Sequence, residues 1–527
     1  MNHGIRFRKI LNIPLQQIAD LIKTYAITKG KKMIQNTLAG ERKFKLFIIF
    51  TLFICSIIIS SFPLCEIFSH IPIAQNEGWN AYQIDRAMDP RLGPLYPNPD
   101  NGLIFNNYPP LSFYVVGVVS KYLIHDVIAA GRIVSFISIL ISCMACYFCT
   151  RSLGGSRFGA AISFFITYLY TAEFFQWWFI TNDPQWLSIS FILSGCSIVL
   201  LALDSQTKSM LPVIAASFLT VIGGLVKHNE LAIPLCVTIW LFIQNRKMFY
   251  YWSMSGLAFL SLSLMLLYMV FGANVFIDVI HHPRTMSFRY ASSLKDIFSD
   301  IIYIIIASLP CLIEIKNKKT RNFLCFFVLT CLVLGIFEKT GAGVSRNALI
   351  DTLIALSIAI GVGVSAFPQT WQGYRNPSMI WLVLVSLSQP IIKITTHTPS
   401  YIHDIRQIHK EEDYWNNIIY RVQSVPGLAA CRMLSVCYWA HKPYTVDMFN
   451  LGQYVENGGK ENIFDKMIRN REFDIIEYPT KNSAQINRER NALMKNLPEY
   501  YSSSFKVNID DDFYKGNDEM EFFVPKK

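Results

Sequence analysis

Residues 76–117 read NEGWNAYQIDRAMDPRLGPLYPNPDNGLIFNNYPPLSFYVVG and follow the first long apolar stretch of the chain. This polar segment places the carboxylates of Glu77, Asp85 and Asp89 beside a membrane face, among aromatic residues and before a Pro-Pro step. Carboxylates at that depth cost free energy and are found mainly where they have a function. The segment therefore predicts a membrane protein that performs chemistry at the surface of a bilayer.

The composition of the chain is that of a polytopic membrane protein. Of its 527 residues, 52% are hydrophobic and 16% are charged, and its mean hydropathy is +0.31. A soluble protein carries about 25% charged residues. Long apolar stretches recur along the chain and predict about eleven transmembrane helices. These predicted spans cover residues 46–65, 128–150, 158–180, 186–203, 210–226, 230–244, 250–272, 299–315, 322–338, 347–368 and 378–395.

Basic residues predict the orientation of these spans. The formal net charge is +11, and much of the excess lies in residues 1–45. A basic segment before a first span stays in the cytoplasm, either as a topogenic tail alone or as a partly amphipathic helix on anionic lipid head groups. This charge does not indicate a nucleic-acid partner. The outer side then receives everything after residue 396 and the loops at 66–127, 181–185, 227–229, 273–298 and 339–346.

Three regions follow from this pattern. Residues 1–45 are the basic cytoplasmic segment, and residues 46–396 are a transmembrane catalytic domain whose first outer loop is 66–127. Residues 397–527 are predicted to form a soluble α/β domain on the outer side, because charged residues become frequent there and apolar runs shorten to strand length. The apolar segment 109–124 is predicted to be a juxtamembrane helix, since a further span here would put the next basic connection outside.

The cysteines are interpreted mainly as packing residues. Most of the 12 lie in apolar runs, where Cys behaves as a small hydrophobic residue. Cys143, Cys146 and Cys149 share a helical face, but no nearby His or fourth Cys completes a metal site. Cys431 and Cys437 belong to the run CRMLSVCYW, and if this run is a single strand they are too far apart for a disulfide with each other.

Five groups of polar residues open onto the same predicted side of the membrane, although they are far apart in the sequence. Their shared depth favours one composite site over five unrelated loops. The groups are, in chain order, Asn76, Glu77, Asp85, Asp89 and Tyr108; Thr181, Asn182 and Asp183; Lys227, His228, Asn229 and Glu230; His281, His282 and Arg284; and Glu338, Lys339, Arg346, Asn347 and Asp351.

The residue types in these groups suit the transfer of a sugar from a lipid phosphate. A departing phosphate carries negative charge, which a fixed Lys or Arg stabilises, and an acceptor hydroxyl needs a carboxylate to take its proton. A carboxylate near apolar walls has a raised pKa, which suits a base working near neutrality. The candidate bases are Glu77 and Asp183; the candidate phosphate partners are Lys227, Arg284 and Arg346; and the other candidate substrate contacts are Tyr82, Tyr108 and His282, with Trp79 as a further stacking residue.

Several of these residues also have a purely structural interpretation. Glu77 could cap the helix that follows it, and Asp183 stands before a proline at the start of a span, where Asp is an ordinary N-cap. Lys227 and Arg346 could be interfacial anchors whose amino and guanidinium groups reach into the head-group region. Adjacent histidines on a helix point apart, which disfavours a metal pair at residues 281–282.

Several short motifs, in this order and spacing, resemble those of the bacterial GT-C glycosyltransferases. These include the lipid A aminoarabinose transferases, the protein O-mannosyltransferases and the lipopolysaccharide-core transferases of the RgtA/B/C/D-like group. EGWNAYQ and NNYPPLSFY are similar to the first loop of the family, and AAGRIVSF to a short segment with an Arg before a span. TNDPQWL resembles its second-loop Asp, VKHNELAIPL its Lys segment, and GAGVSRNALIDTLIALSIAIG a late span. The C-terminal domain matches only loosely.

The resemblance implies a GT-C fold and an inverting transfer of a sugar from a polyprenyl-phosphate carrier. The acceptor would be a lipid, lipopolysaccharide, other glycan or protein at the periplasmic face of a bacterial inner membrane. The family's first-loop carboxylate maps to Glu77, and its second-loop Asp maps to Asp183. Many members carry Asp-Glu where this chain has Asn76-Glu77. That difference argues against a paired-carboxylate metal site and leaves a divalent cofactor, Mg²⁺ or Mn²⁺, open.

Two other functions compete with an enzyme. A transporter or lipid flippase would favour inverted repeats and charges near the middle of the membrane, whereas the sequence has no evident repeat and places its charges at one interface. A non-catalytic assembly partner would depend on residues 397–527 and not on Glu77.

Overall fold

The computed structural model describes residues 42–98, 102–206, 208–282, 284–288, 294–366, 377–459, 463–480, 484–509 and 518–526. The predicted basic segment lies outside these ranges, apart from its last residues, 42–45.

Helices make up most of the described chain before residue 425. In chain order they are α1 (Arg42–Phe68), α2 (Gln75–Met88), α3 (Leu111–Val119), α4 (Val127–Ser152), α5 (Arg157–Phe174), α6 (Gln185–Asp204), α7 (Leu211–Val226), α8 (Ala232–Gln244), α9 (Arg246–Phe271), α10 (Asn274–Ile280), α11 (Leu294–Glu314), α12 (Lys318–Glu338), α13 (Ile350–Ala366) and α14 (Pro377–Ser424).

Within the described residues, six helices are long and apolar enough to cross a membrane. They are α1, α4, α6, α9, α12 and the segment Arg346–Ala366, which contains α13. Shorter apolar helices are α7, α8 and Leu111–Ile124, in which α3 continues as a π-helical turn. Each predicted span overlaps a helix, so the predicted helical membrane protein is confirmed, while the number of eleven spans stays a prediction.

The middle of the bundle is packed around α13. Every residue of this helix from Ile350 to Val364 is buried, as a long apolar helix surrounded by other helices should be. A Cβ atom on Gly159 of α5 would overlap the carbonyl of Gly361. Glycines at such a crossing let two helix backbones approach closely, as is common in membrane bundles.

α14 leaves the bundle and continues into a C-terminal α/β unit. It is 48 residues long, so the predicted domain boundary after residue 396 falls inside a helix. In chain order the unit contains β1 (Leu428–Cys431), α15 (Leu434–Trp439), α16 (Met448–Glu456), α17 (Ile463–Arg469), β2 (Phe473–Pro479), α18 (Ala484–Leu493), α19 (Leu497–Tyr500), β3 (Tyr501–Ile509) and β4 (Asp518–Pro525).

The four strands form one mixed sheet in the order β1-β2-β4-β3. β1 and β2 are parallel, whereas β4 is antiparallel to both of its neighbours. Ile475 and Phe522 pack on α14 through Trp415, while Phe473 and Ile476 face a second apolar cluster. The α/β architecture agrees with the prediction for this region, and its side of the membrane stays a prediction.

The cysteines follow the sequence interpretation in one place and depart from it in another. Cys143, Cys146 and Cys149 are buried in the core of the bundle. Cys431 and Cys437, however, form a disulfide, with Cα atoms 5.9 Å apart. The run 431–439 is not a single strand, so the condition that excluded this disulfide does not hold: β1 ends at Cys431 and the chain turns into α15, which brings the second sulfur back to the first.

α2 is held between the bundle and the C-terminal unit. On one side a Cβ atom at Gly78 would overlap the backbone of Ser435 in α15. On the same helix, the indole N–H of Trp79 donates to Asp447 at 2.8 Å. On the bundle side, the side-chain amide of Asn80 donates to the carbonyl of Asn182 at 2.8 Å, so α2 is fixed relative to both parts of the molecule.

Candidate active site

A buried ion pair joins Glu77 of α2 to Arg132 of α4. Both side chains are 0% exposed, and the guanidinium donates from Nε to Oε1 at 2.8 Å and from Nη2 to Oε2 at 2.9 Å. Arg132 also donates to the backbone carbonyls of Glu66, Ser69 and Ile71. The pair therefore ties the chain that leaves α1 to both α2 and α4.

The carboxylate of Glu77 has little acceptor capacity left. Besides the two bonds from Arg132, it accepts from the backbone N–H groups of Ile73 and Asn182, each at 3.1 Å. A carboxylate offers about four acceptor positions, and four donors occupy them here. These contacts do not fit the predicted role of Glu77 as the base; they fit a positioning residue that fixes Asn182 and the aspartate after it.

Asp183 is mostly buried and lies two residues before the first residue of α6. One carboxylate oxygen accepts from the backbone N–H of Gln185 at 2.7 Å, and the other accepts from the side-chain amide of Asn76. The first contact is a local bond across Pro184, and Pro184, not Asp183, is the N-cap residue of α6. The two contacts leave lone pairs on both oxygens, so this local bond and proton acceptance are compatible in the same carboxylate.

A mostly apolar cleft, partly open to solvent, lies between α2, α3, α4 and α6. Asp183 is one of its few polar lining residues, and its apolar wall includes Phe113, Val116, Val134 and Leu187. The cleft thus places a carboxylate next to apolar surface at the end of the bundle.

Lys227, at the end of α7, belongs to a buried polar network. Its amine donates to the side-chain oxygen of Gln185 and lies 4.0 Å from Glu230. Gln185 donates to Glu230 at 2.5 Å, and Asn347 donates to Gln185 at 3.3 Å. The amine also lies 5.6 Å from the ring centre of Tyr108. Tyr108, Glu230 and Asn347, which come from three of the five predicted polar groups, therefore belong to the network around one buried amine.

The surroundings of Lys227 keep it charged. Burial lowers the pKa of the amine, but Tyr108, Asp183 and Glu230 together raise it by more, so the pKa lies above its ordinary value. Burial raises the pKa of Glu230, and the charge of Lys227 opposes that rise. The site therefore presents a fixed positive charge within electrostatic range of Asp183.

Arg284 brings a second positive charge and links the remaining polar group to the site. Burial, followed by the charge of this arginine, lowers the pKa of both His228 and His282 to about 4. Both imidazoles are therefore neutral near pH 7. The same guanidinium also acts on Tyr108, so the loop after α10 faces the Lys227 network.

Two of the predicted substrate contacts are engaged in the fold instead. Arg346 pairs with Asp300 at 2.7 Å and donates to the carbonyl of Phe174 at 3.0 Å. The hydroxyl of Tyr82 donates to the carbonyl of Lys442 in the C-terminal unit at 2.8 Å. These contacts join elements of the protein and do not fit a direct contact with substrate.

Sequence reasoning assigned no role to Arg132 or Gln185. Arg132 carried a usable signal, because an arginine inside an apolar run is costly unless it is paired. Gln185 carried none, since a glutamine at a helix start is ordinary. The contribution of the C-terminal unit through Asp447 was also missed, because 368 residues separate it from Trp79 in the chain.

The side chains of Asn76 and Glu77 are engaged with protein groups and do not fit a divalent cation. The amide of Asn76 donates to Asp183 and so presents its NH₂ group there, and the oxygens of Glu77 are taken by four N–H donors. Among the described residues, no group of three or more His, Cys, Asp and Glu side chains is arranged to hold a metal.

The fold is similar to that of two solved membrane enzymes. ArnT from Cupriavidus metallidurans, crystallised with undecaprenyl phosphate, has a TM-score of 0.51 and 11% identity, over 92% of this chain and 98% of that chain. The oligosaccharyltransferase of Archaeoglobus fulgidus, tethered to an acceptor peptide, has a TM-score of 0.52 and 11% identity, over 90% of this chain and 74% of that chain. No family model and no curated protein sequence matches this chain.

The apo structure of the same ArnT is also similar to this chain, with a TM-score of 0.52 and 9% identity. At such identities the likeness concerns the fold. Both neighbours are members of the GT-C superfamily, and the alignments include the membrane bundle and most of the remaining chain. The chain is therefore a membrane protein with the GT-C fold that its sequence motifs predicted.

Proposed function

We propose that this protein is a glycosyltransferase that moves a sugar from a polyprenyl-phosphate carrier to a cell-envelope acceptor, a lipid, a glycan or a protein. The observation that carries the proposal is the meeting of Asp183, Lys227 and Tyr108 at one end of a GT-C bundle. A carboxylate and a fixed cation beside an apolar cleft suit a substrate that joins a sugar, a phosphate and a hydrocarbon chain.

In the proposed reaction, an acceptor hydroxyl attacks the anomeric carbon of the donor from the face opposite the phosphate. The new bond forms as the bond from carbon to phosphate oxygen breaks, and the phosphate leaves with the bonding electrons. Asp183 takes the proton of the attacking hydroxyl. The amine of Lys227, supported by Arg284, stabilises the charge on the leaving phosphate. The product has the inverted configuration.

Other residues hold these groups in place. Asn76 orients Asp183 through a hydrogen bond, and the Glu77–Arg132 pair fixes the backbone of Asn182. The ring of Tyr108 lies against Lys227 and the indole of Trp79, with ring centres 5.3 Å apart. This arrangement limits the movement of the two charged groups between which the sugar would sit, as an oriented reaction requires.

The ligands of the solved neighbours support the proposed donor class in one case and a protein or peptide acceptor in the other. ArnT was crystallised with undecaprenyl phosphate, and the oligosaccharyltransferase was tethered to an acceptor peptide. We extend the polyprenyl-phosphate donor to this chain because Lys227 and Arg284 offer the positive charge that a phosphate needs.

We further propose that the reaction occurs at the periplasmic face of a bacterial inner membrane, with the N-terminus in the cytoplasm. The basic N-terminal segment supports this orientation. The disulfide between Cys431 and Cys437 also supports it, because disulfides form and persist in oxidising compartments such as the periplasm.

The test is an envelope analysis of a deletion strain complemented with variants. Mass spectrometry of lipids and glycans should show a sugar that is absent from the deletion strain and restored by the wild-type gene. Asp183→Asn should fail to restore it, with at least about a hundredfold less product, although the protein accumulates in the membrane. The matched control is Asp204→Asn, an exposed aspartate at the other end of α6. Full restoration by Asp183→Asn would refute the assigned base, and an unchanged envelope in the deletion strain would refute the transferase.

A further inference from the structure

Two side chains near Arg284 have hydrogen-bonding atoms that no protein group uses. Among the described residues of this region, these atoms are Nε2 of the half-buried His282 and both amide atoms of Gln453. Gln453 is 5% exposed. Folded proteins leave few buried polar atoms unpaired, and such atoms are concentrated where a ligand or water is bound.

His282 lies two residues after the end of α10, where the chain meets α16 of the C-terminal unit. The imidazole packs on Phe105, with ring centres 5.5 Å apart. Asn450 of α16 hydrogen-bonds the imidazole of His282 and lies 3.5 Å from the side-chain amide nitrogen of Asn107. One face of α16 thus closes over the loop that carries Tyr108.

The position of Gln453 follows from its neighbours on the same helix. Phe449 fills the space beside Gly343, where an added Cβ atom would overlap its ring. Asn457 donates to the hydroxyl of Thr285 at 2.9 Å. Gln453 is four residues after Phe449 and four before Asn457, so it lies on the same face of the helix and points at the membrane unit between these two contacts.

We propose that the surface formed by His282, Asn450 and Gln453, where the chain after α10 meets α16, binds the hydroxyl groups of the donor sugar. The inference rests on the proposed function and names where the sugar is recognised. The surface mixes hydrogen-bond donors and acceptors and includes no lysine or arginine, which suits a neutral polyhydroxylated ring. Arg284, two residues after His282, supplies the positive charge for the phosphate beside it.

This assignment gives the C-terminal unit a role in specificity. A site built to hydrogen-bond hydroxyl groups rejects a ligand that lacks them, because its buried polar atoms are then left unpaired. The bundle would therefore bind the lipid phosphate, which is common to many donors, and α16 would select the sugar.

Gln453→Leu separates a binding role from a structural role. Leucine has nearly the same size, and it removes both unpaired amide atoms. If these atoms make no bond within the protein, the substitution leaves the melting temperature unchanged or raises it. A glutamine that stabilises the fold would instead lower the melting temperature when replaced. Gln423→Leu, at an exposed position of α14, is the matched control.

The experiment measures binding to the purified full-length protein in nanodiscs. The probes are undecaprenyl phosphate and its conjugates with glucose, mannose, N-acetylglucosamine and 4-amino-4-deoxyarabinose. We expect the wild type and Gln423→Leu to bind one conjugate at least about tenfold more tightly than the sugar-free carrier. Gln453→Leu should lose that preference, while its affinity for the sugar-free carrier and its melting temperature are retained.

Each other result has a defined meaning. A Gln453→Leu protein that keeps the sugar preference, a wild type that binds the carrier but prefers no conjugate, or a variant with a lower melting temperature overturns the sugar site. A wild type that binds neither the carrier nor any conjugate overturns the proposed donor itself. The failure of the inference and the failure of the proposed function are therefore distinguishable.

Discussion

The Glu77–Arg132 pair places two opposite charges in a part of the site that water does not reach. Removing ions from water costs several kcal/mol each, and only good geometry with further hydrogen bonds offsets that cost. Here the bidentate contact and five bonds to backbone groups provide this geometry. If one partner is removed, the other remains as an uncompensated buried group.

Glu77→Gln is therefore expected to destabilise the protein and not simply to remove a base. Breaking a buried pair costs about 3–5 kcal/mol, so less folded protein should accumulate, with a lower melting temperature in detergent. Glu499→Gln, at an exposed position, should behave as the wild type. A Glu77→Gln protein that is as stable as the wild type yet fails to transfer sugar would instead restore Glu77 as the base.

Asp278 makes stability depend on pH. Burial raises the pKa of its carboxyl to about 7, and the backbone N–H of Asn106 opposes only part of that rise. In the unfolded chain the pKa is about 3.9. The folded state thus binds the proton more tightly, and its stability falls as the pH rises through the window between these values. The neighbouring phenol of Tyr96, whose pKa burial raises well above its usual value, stays neutral throughout.

Asp278→Asn should remove this dependence because the amide stays neutral. The melting temperature of the variant, relative to the wild type, is expected to be higher at pH 8 than at pH 5, as measured by thermal unfolding in buffered detergent. Asp204→Asn, at an exposed position, should differ from the wild type in melting temperature by the same amount at pH 5 and at pH 8. An Asp278→Asn difference that does not change with pH would show that this carboxyl is ionised throughout.

Among the secondary-structure elements, α2, α4 and the turn before α6 position the reacting groups together. The side chain of Asn182 donates to the backbone carbonyl of Glu77 at 3.2 Å, and it lies directly against Gly131 of α4, where an added Cβ atom would overlap it. α4 therefore sets the position of the turn that carries Asp183, and a glycine is needed at this contact because no space remains for a side chain.

Gly131→Ala should displace that turn and reduce sugar transfer. A displacement of about 1 Å at a reacting group can reduce the rate about a hundredfold, so we expect a loss of that order with the protein still inserted in the membrane. The control is Gly224→Ala on α7, where an added Cβ meets nothing within 4 Å. The measurement is the amount of glycosylated envelope product that each variant restores in the deletion strain. Equal amounts for the two variants would show that the position of the turn does not depend on α4.

At the scale of the whole molecule, the C-terminal unit and the bundle form one structure around the site. α14 connects them as a continuous helix, and α2 contacts both through Gly78 and Glu77. The disulfide of the C-terminal unit closes the turn between β1 and α15. That turn carries Arg432, whose guanidinium donates to Gln75 at the start of α2 at 2.8 Å.

Because of the disulfide, the compartment of the C-terminal unit can be determined by counting the free thiols of the protein. Of the 12 cysteines, ten are free and two are paired. Cells treated with a thiol-blocking reagent under denaturing conditions should yield a protein with ten modified cysteines by mass spectrometry, and with twelve if reductant is added first. Twelve modified cysteines without reductant would place the C-terminal unit in a reducing compartment, against the proposed orientation.

The sequence alone was sufficient for the class of fold and for grouping some of the polar residues that lie together in the structure. Transmembrane helices are read from local composition, because hydrocarbon requires long apolar segments with internally paired backbones. Polar residues at one depth, such as Asp183 and Lys227, could be grouped for the same reason. The pairing of Cys431 with Cys437 was missed, because it depends on whether the chain between them continues as a strand or turns into a helix. Only the turn brings the two sulfur atoms together.

Only the tertiary structure decided which role each of these residues can take. Glu77 and Asp183 are both acidic and both predicted to lie close to the membrane surface, so local sequence does not distinguish their roles. The difference lies in partners that are distant in the chain, Arg132 for one and Asn76 for the other. A side chain's availability for chemistry depends on which groups already use its lone pairs, and that is a property of the packed molecule and not of the local sequence.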